Sequence, residues 1–328
     1  MRSDPPEELL RQLRQGGEAV LFCHVAPDGD TLGSARALEL LLKGLGWRTS
    51  IVANGQLPAR LGFLPGLSLC NPERFALPEN AAAIAVDVSS PDRLGRAEAL
   101  YNAAARRWVI DHHGTNPCFG QINWVEGDAP ATGILVNRLY RAMNAPLTKE
   151  AAVCLYTALS TDTGNFVYDS VNGECFEMMA GLMEAGLPLA EISRVLFREK
   201  REDFVRLLGV TLPSLRVTEG GSIAGLCTSL EQFRQNGLDP AETDGVVDYA
   251  IDIQGVCMAY YLHEQEENVM KVSFRALPPY RVDHVARRFG GGGHPQAAGC
   301  TLRMPAAQAV REVETALHQA LEEQKTHE

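Results

Sequence analysis

The chain has 328 residues, 45% of them hydrophobic, which exceeds what one ordinary core needs and suits two compact domains. No stretch approaches the roughly 18–20 consecutive apolar residues that span a bilayer, and residues 1–17 are polar, without an apolar signal core, so a membrane role is excluded and a cytoplasmic location is expected. A formal net charge of −11 argues against an extended duplex-binding surface, because such proteins neutralise many phosphates; any nucleic-acid substrate should be short.

The first half alternates short apolar runs at 19–23, 49–53, 82–88 and 108–110 with a helical pattern at 32–45. This alternation predicts a parallel, doubly wound sheet. Helices are predicted at 132–143, 149–160 and 174–185, with Gly186 and Pro188 marking a stop and restart. Residues 187–209 are charged yet keep apolar positions at helical spacing, and read as a helical linker. Beyond them strands are predicted at 212–217, 222–228, 256–263 and 269–275, then a basic helical stretch at 282–289, a glycine run, and a last helix from about 305 to 324. The expected division is a catalytic α/β domain over 1–186, a linker over 187–209 and a smaller α/β substrate-binding domain over 210–328. The eight cysteines are scattered singly, several within apolar runs, and read as buried free thiols.

Four blocks carry the chemistry. His24, Asp28 and Asp30 lie just past the apolar run 19–23, with Pro27 and Gly29 turning the chain between them. They crowd the carboxyl end of a strand, where open α/β sheets place ligands, although Asp-Gly is also a common turn pair. Asp87 closes a run that reads as a strand buried on both faces, where it either caps the next helix or faces the same crevice. Asp111, His112, His113 and Gly114 follow the run 108–110, and packing alone explains such a sequence poorly, because Asp and His are costly to bury unpaired. Asp162, in Thr161-Asp162-Thr163-Gly164, ends the predicted helix at 149–160, where a plain helix C-terminus is the other reading.

Together the blocks offer His24, Asp28, Asp30, Asp87, His112 and Asp162, a carboxylate and imidazole set without thiolate. It suits Mn²⁺, with Mg²⁺ or Fe²⁺ as alternatives, and is unlike a structural zinc site. Six ligands are too many for one catalytic ion with open positions but suit two ions sharing a bridging carboxylate. Such a pair stabilises both the attacking and the leaving oxygen of a displacement at phosphorus, so phosphoester hydrolysis is the implied chemistry. In the last third, Gly291, Gly292 and Gly293 would let backbone N–H groups approach an anion, with His294 and Arg275 adding donors; a flexible hinge and a solvated strand end are the alternatives.

The order His-x-x-x-Asp-x-Asp, lone Asp, Asp-His-His, lone Asp resembles the DHH phosphoesterase superfamily. The segment from Gly290 to Gly293, His294 and Ala297-Ala298-Gly299 resembles the glycine-rich motif of the DHHA1 domain. The combination, over nearly the whole chain, is similar to the bacterial nanoRNase and pAp-phosphatase subgroup. That resemblance implies an active site in an interdomain cleft. It implies one metal on His24, Asp28 and Asp87 and a second on Asp30, Asp87, His112 and Asp162. It makes Asp111 the group that orients an imidazole from behind, and gives His113 the substrate phosphate or its leaving oxygen. It assigns a substrate phosphate to Arg275 and His294. The implied substrates are short single-stranded RNA or DNA oligonucleotides, dinucleotides such as pGpG and pApA, and pAp; a homodimer is compatible with this reading. A cyclic-dinucleotide phosphodiesterase with the same centre is the alternative activity, and a non-catalytic nucleotide sensor the alternative of another class.

Overall fold

The computed structural model describes residues 3–218 and 220–325. The chain divides into two compact units, with the boundary between Glu199 and Lys200.

In the first unit the elements run α1 (Glu7–Leu13), β1 (Gly17–Phe22), α2 (Gly29–Gly44), β2 (Trp47–Val52), β3 (Leu69–Cys70), β4 (Ala82–Val86), α3 (Glu98–Ala103), β5 (Arg106–Asp111), β6 (Ile122–Val125), α4 (Thr132–Ala142), α5 (Lys149–Asp162), α6 (Gly173–Glu184) and α7 (Leu189–Ser193). The six strands form one sheet in the order β3-β2-β1-β4-β5-β6, every pair parallel. Parallel strands are covered on both faces, which the side chains show: Ala19 and Leu21 of β1 join Ile84, Trp108 and α2, α4 and α5 in one core, while Val20 and Phe22 join Ala83, Val109 and Tyr101 of α3 in another. The strand order reverses between β1 and β4, and at such a switch point the crevice beyond the carboxyl ends is left open for a ligand.

Close approach of α2 to α5 sets the width of that crevice. A Cβ at Gly33 would lie 2.5 Å from the Cys154 carbonyl oxygen, so only glycine lets the two helices meet there. The contact draws the end of α5, with Asp162, towards the start of α2, with Asp30.

The second unit contains α8 (Glu202–Thr211), β7 (Arg216–Val217), β8 (Ile223–Thr228), α9 (Leu230–Asn236), α10 (Asp248–Ile251), β9 (Met258–Glu266), β10 (Val269–Ala276), α11 (Asp283–Arg288), β11 (Gly292–His294), β12 (Ala297–Arg303) and α12 (Ala306–Lys325). Its sheet has the order β11-β12-β10-β9-β8-β7, antiparallel except for the β8–β9 pair. Met270, Val272 and Phe274 pack with Val285 of α11 and Val313 and Leu317 of α12. On the other face Ala259 and Tyr261 of β9 pack with Leu207 of α8 and Ala250 of α10.

Several expectations need revision. The predicted linker at 187–209 is not a separate body: Ile192 belongs to the core of the first unit, and Leu207 and Leu208 to the second. A five-residue π-type turn, Arg194–Arg198, ends the first. The predicted strand at 212–217 is reduced to Arg216–Val217, because Pro213 starts a short 3₁₀ turn, Leu212–Ser214. The glycine run, for which a flexible hinge was the alternative reading, instead contributes Gly292–His294 as an edge strand paired with Ala297, Ala298 and Gly299. All eight cysteines are free; Cys23, Cys154, Cys175 and Cys300 are buried, but Cys70, Cys227 and Cys257 are half-buried and Cys118 is exposed.

Candidate active site

Strand and helix ends from across the sequence meet at the switch point. β1 leads to His24; Asp28 caps α2, accepting from the Thr31 amide at 3.0 Å. Asp30, in the first turn of α2, is wholly buried. Its oxygens accept from the Thr132 amide at 2.7 Å, the Gly133 amide at 3.0 Å and the Ser34 hydroxyl at 2.8 Å. Two of these donors are amides at the start of α4, a helix end that favours a carboxylate.

Asp87 stands just past β4 with φ 60°, in the left-handed region that costs an L residue on the order of 1 kcal/mol. Its amide still donates to the Ile110 carbonyl at 3.0 Å, so the chain stays in the sheet while the side chain turns into the crevice. There Oδ2 lies 3.7 Å from His24 Nε2 and Oδ1 lies 3.6 Å from His112 Nε2. Thr31 donates to Oδ2 at 2.6 Å and Thr132 to Oδ1 at 2.9 Å. Each carboxylate oxygen has two lone-pair directions, so each keeps one for a cation.

Three groups of ligand atoms meet around Asp87, one of them made by Asp87, His112 and His113. His24, Asp28 and Asp87 offer atoms within 4.8 Å of one another, and so do Asp30, His112 and Asp162. His112 Nε2 is 3.1 Å from Asp162 Oδ2 and 3.8 Å from Asp30 Oδ2. Its other nitrogen, Nδ1, donates to the Ala129 carbonyl at 3.0 Å, which leaves the Nε2 lone pair for an ion. His24 Nδ1 is similarly placed, 2.7 Å from the Val25 carbonyl.

The electrostatics identify what such a cluster needs. Burial, then the charges of Asp87 and Asp162, push Asp30 well above the usual carboxylate range. Burial and the charge of Asp28 raise Asp87 as well. Burial opposes charge on His112, yet the hydrogen bond to Asp162 and the charges of Asp30 and Asp87 hold its pKa up at about 10. Burial likewise opposes charge on Asp28, but its bond to His24 draws it down to about 2. Divalent cations supply the positive charge that protons otherwise provide, and their binding releases those protons. Cys23 is adjacent but is no competing ligand, because burial and the charges of Asp87 and Asp28 push its thiol far above the usual range. The residues present therefore fit a pair of oxygen- and imidazole-seeking divalent cations.

Asp111 is wholly buried and accepts from Asn116 Nδ2 at 2.6 Å. His113 Nδ1 sits 2.7 Å from its other oxygen, and this hydrogen bond raises the His113 pKa. The His113 side chain is 41% exposed, so Asp111 fixes one edge of the ring and leaves Nε2 for a substrate.

In the second unit Arg275 and His294 both pair with Ala297 from neighbouring strands. Directly paired residues share a face, so the two cationic candidates flank a small alanine on one side of the sheet. Arg275 Nε donates to Asp248 Oδ1 at 3.1 Å and Nη1 to the Phe274 carbonyl at 3.2 Å, and neither bond uses Nη2. The glycines also have a structural use. The Gly290 and Gly291 amides already donate to Arg287 and Ala286 carbonyls, ending α11. Gly293 holds φ 144°, and a Cβ there would lie 2.5 Å from both the Ala297 oxygen and the Ala298 Cα. Gly291 and Gly293 thus let the chain approach β12 closely, next to His294.

Sequence reasoning did not find Thr31, Thr132, Asn116, the Ala129 carbonyl or Asp248. Thr132 and Gly133 did carry a signal, as a polar and a small residue opening a helix, where amides seek an anion.

Against known proteins, the model of the DHH family N-terminal domain matches residues 18–159 and that of the DHHA1 domain matches residues 223–323. The class is that of phosphoester hydrolases dependent on divalent metal. Over 290 residues the chain is 32% identical to the bifunctional oligoribonuclease and PAP phosphatase NrnA of Thermus thermophilus, covering 88% of this chain and 85% of the relative. With the protein of the same name from Bacillus subtilis it shares 26% over 298 residues, covering 90% and 92%. The crystal structure of an exopolyphosphatase-related protein from Bacteroides fragilis superposes with a TM-score of 0.85 at 25% identity, covering 95% of each chain. The chain belongs to the DHH family, its second unit being a DHHA1 domain.

Proposed function

We propose that the protein hydrolyses short oligonucleotides and 5′-phosphorylated dinucleotides such as pGpG and pApA to mononucleotides, and removes the 3′-phosphate of pAp. The single observation that carries the reading is the Asp87 carboxylate, one oxygen directed at His24 and the other at His112. His24, Asp28 and Asp87 would hold one cation, and Asp30, Asp87, His112 and Asp162 the other. When bound, the cations stabilise negative charge on the attacking and leaving oxygens. We assign Mn²⁺ as the working metal, on the mixed carboxylate and imidazole donors.

The protein's own groups do the rest. Thr31 and Thr132 fix Asp87 so that its oxygens cannot rotate away. His113, held by Asp111, donates a proton from Nε2 to the leaving oxygen as the bond from phosphorus breaks and water adds. Arg275 and His294 hold a terminal phosphate; in pAp the 5′-phosphate would take that place. Substrate names borne by relatives support this assignment of nucleotides over other phosphoesters.

The test is turnover of pGpG, pApA, longer oligomers, pAp and cyclic di-AMP by the purified protein, with and without Mn²⁺. Mn²⁺-dependent release of mononucleotides from dinucleotides, with little action on long strands, is the expected result. Preference for cyclic di-AMP would replace the reading by a cyclic-dinucleotide phosphodiesterase, and no turnover with any of them would leave a nucleotide sensor.

A further inference from the structure

Next in sequence to Asp248, the residue that holds Arg275, the second unit exposes an aromatic ring that neither the metal chemistry nor the phosphate grip uses. Tyr249, next to Asp248 in α10, is 40% exposed. Its ring centroid lies 6.4 Å from that of Phe204, the planes tilted by 45°. The Lys200 ammonium sits 5.8 Å over the Phe204 ring, so Phe204 is covered and Tyr249 is the ring left open. Gly245, at φ 87°, turns the chain into α10 beside both Asp248 and the Phe204 ring. Asp248 in turn holds Arg275 at 3.1 Å.

A single exposed tyrosine needs no explanation by itself. Here it is fixed at its rim by a second ring and adjoins the carboxylate that aims a guanidinium. A ring next to a phosphate-seeking cation is the arrangement by which single-stranded nucleotides are held, base on the aromatic face and phosphate on the charge. We propose that Tyr249 is a stacking platform for the base of the nucleotide whose phosphate Arg275 holds. The inference rests on the assignment of nucleotide substrates above and adds the group that recognises the base. Every base has a π-face, so the platform selects for the presence of a base and only weakly for its identity. Purines, with the larger face, gain most.

The test titrates the full chain with 5′-AMP and with ribose 5-phosphate, which differ only by the base. Wild-type protein should bind 5′-AMP about tenfold more tightly, within the range of one base on one ring. Tyr249→Phe should keep that ratio, because it keeps the ring. Tyr249→Leu should bring it close to one while leaving ribose 5-phosphate binding and the melting temperature unchanged. A wild-type ratio near one, or a ratio preserved in Tyr249→Leu, would overturn the platform. Turnover of pApA by the same wild-type sample separates the two readings. Turnover with no base effect rejects the platform alone, and a Tyr249-dependent base effect without turnover rejects the hydrolase assignment alone.

Discussion

Asp30 in the first unit is wholly buried and accepts three hydrogen bonds, whereas Arg275 in the second is 34% exposed and donates to one carboxylate and one neighbouring carbonyl. The contrast extends to their surroundings. Asp30 and Asp87 of the first unit are buried against each other's charge and locked by Thr31, Thr132, Ser34 and helix amides, while Asp28 and Asp162 are partly exposed; Arg275 of the second unit shares its sheet face with Ala259, beside α10, and is held there by Asp248 alone among the described side chains. Cations that must be held a few ångströms apart need ligands whose positions are set before substrate arrives. A phosphate grip has to exchange its ligand every turnover, and exposure suits it.

The comparison can be broken first at Asp87. Asp87→Asn should lower Mn²⁺-dependent turnover by about 10³-fold, beyond the 10–100-fold typical of groups that only orient a ligand. Retained activity in steady-state assays would remove the bridging carboxylate from the mechanism.

Rigidity for chemistry can be separated from rigidity for folding at Arg138 of α4. Arg138 is buried and bridges Glu126, at 2.7 and 2.9 Å, and Glu174, at 2.7 and 2.8 Å, well apart in sequence from any candidate ligand. Arg138→Met leaves the buried Glu126 without its cation and should cost about 3–5 kcal/mol in urea unfolding. The same network sets an acid limit. Burial opposes the Glu126 charge, but hydrogen bonds from Arg138 and Ser3 hold its pKa down at about 2, below the ordinary 4.5. A depressed carboxylate stabilises the fold above its unfolded value, and that contribution is lost as pH falls from 4.5 through about 2. Wild-type stability should therefore decline across this window, and Arg138→Met should flatten the decline.

A smaller effect is expected at Thr132→Val, which removes one hydroxyl from Asp87 and leaves every ligand in place. Metal affinity, read by titrating activity with Mn²⁺, should weaken by about 10–100-fold. Smaller still, Arg275→Ala should raise KM about tenfold while kcat changes little, the signature of lost uniform binding. If kcat fell and KM did not, Arg275 would be part of the reaction centre and the contrast would collapse.

The parts of the molecule differed in how far they could be read from sequence. β1, β4 and β5 announce themselves as apolar runs ending in His24, Asp87 and Asp111-His112, because a strand buried on both faces has no other place for such residues. Thr31, Thr132 and Asn116 did not, since a threonine or asparagine gains its meaning only from which carboxylate folds against it. β11 and β12 were missed because glycine and alanine carry little strand propensity, and their pairing depends on close backbone approach. β6 is short, and Asn123 interrupts its apolar pattern.

The left-handed backbone at Asp87 also has a thermodynamic consequence. Glycine adopts that conformation without penalty, and replacing the aspartate would remove one of several mutually repelling buried charges. Asp87→Gly should then give an inactive protein whose metal-free form is more stable than the wild type, by about 1 kcal/mol of unfolding free energy measured by calorimetry. Selection for catalysis would have kept, at the centre of the sheet, a residue that selection for folding alone would discard.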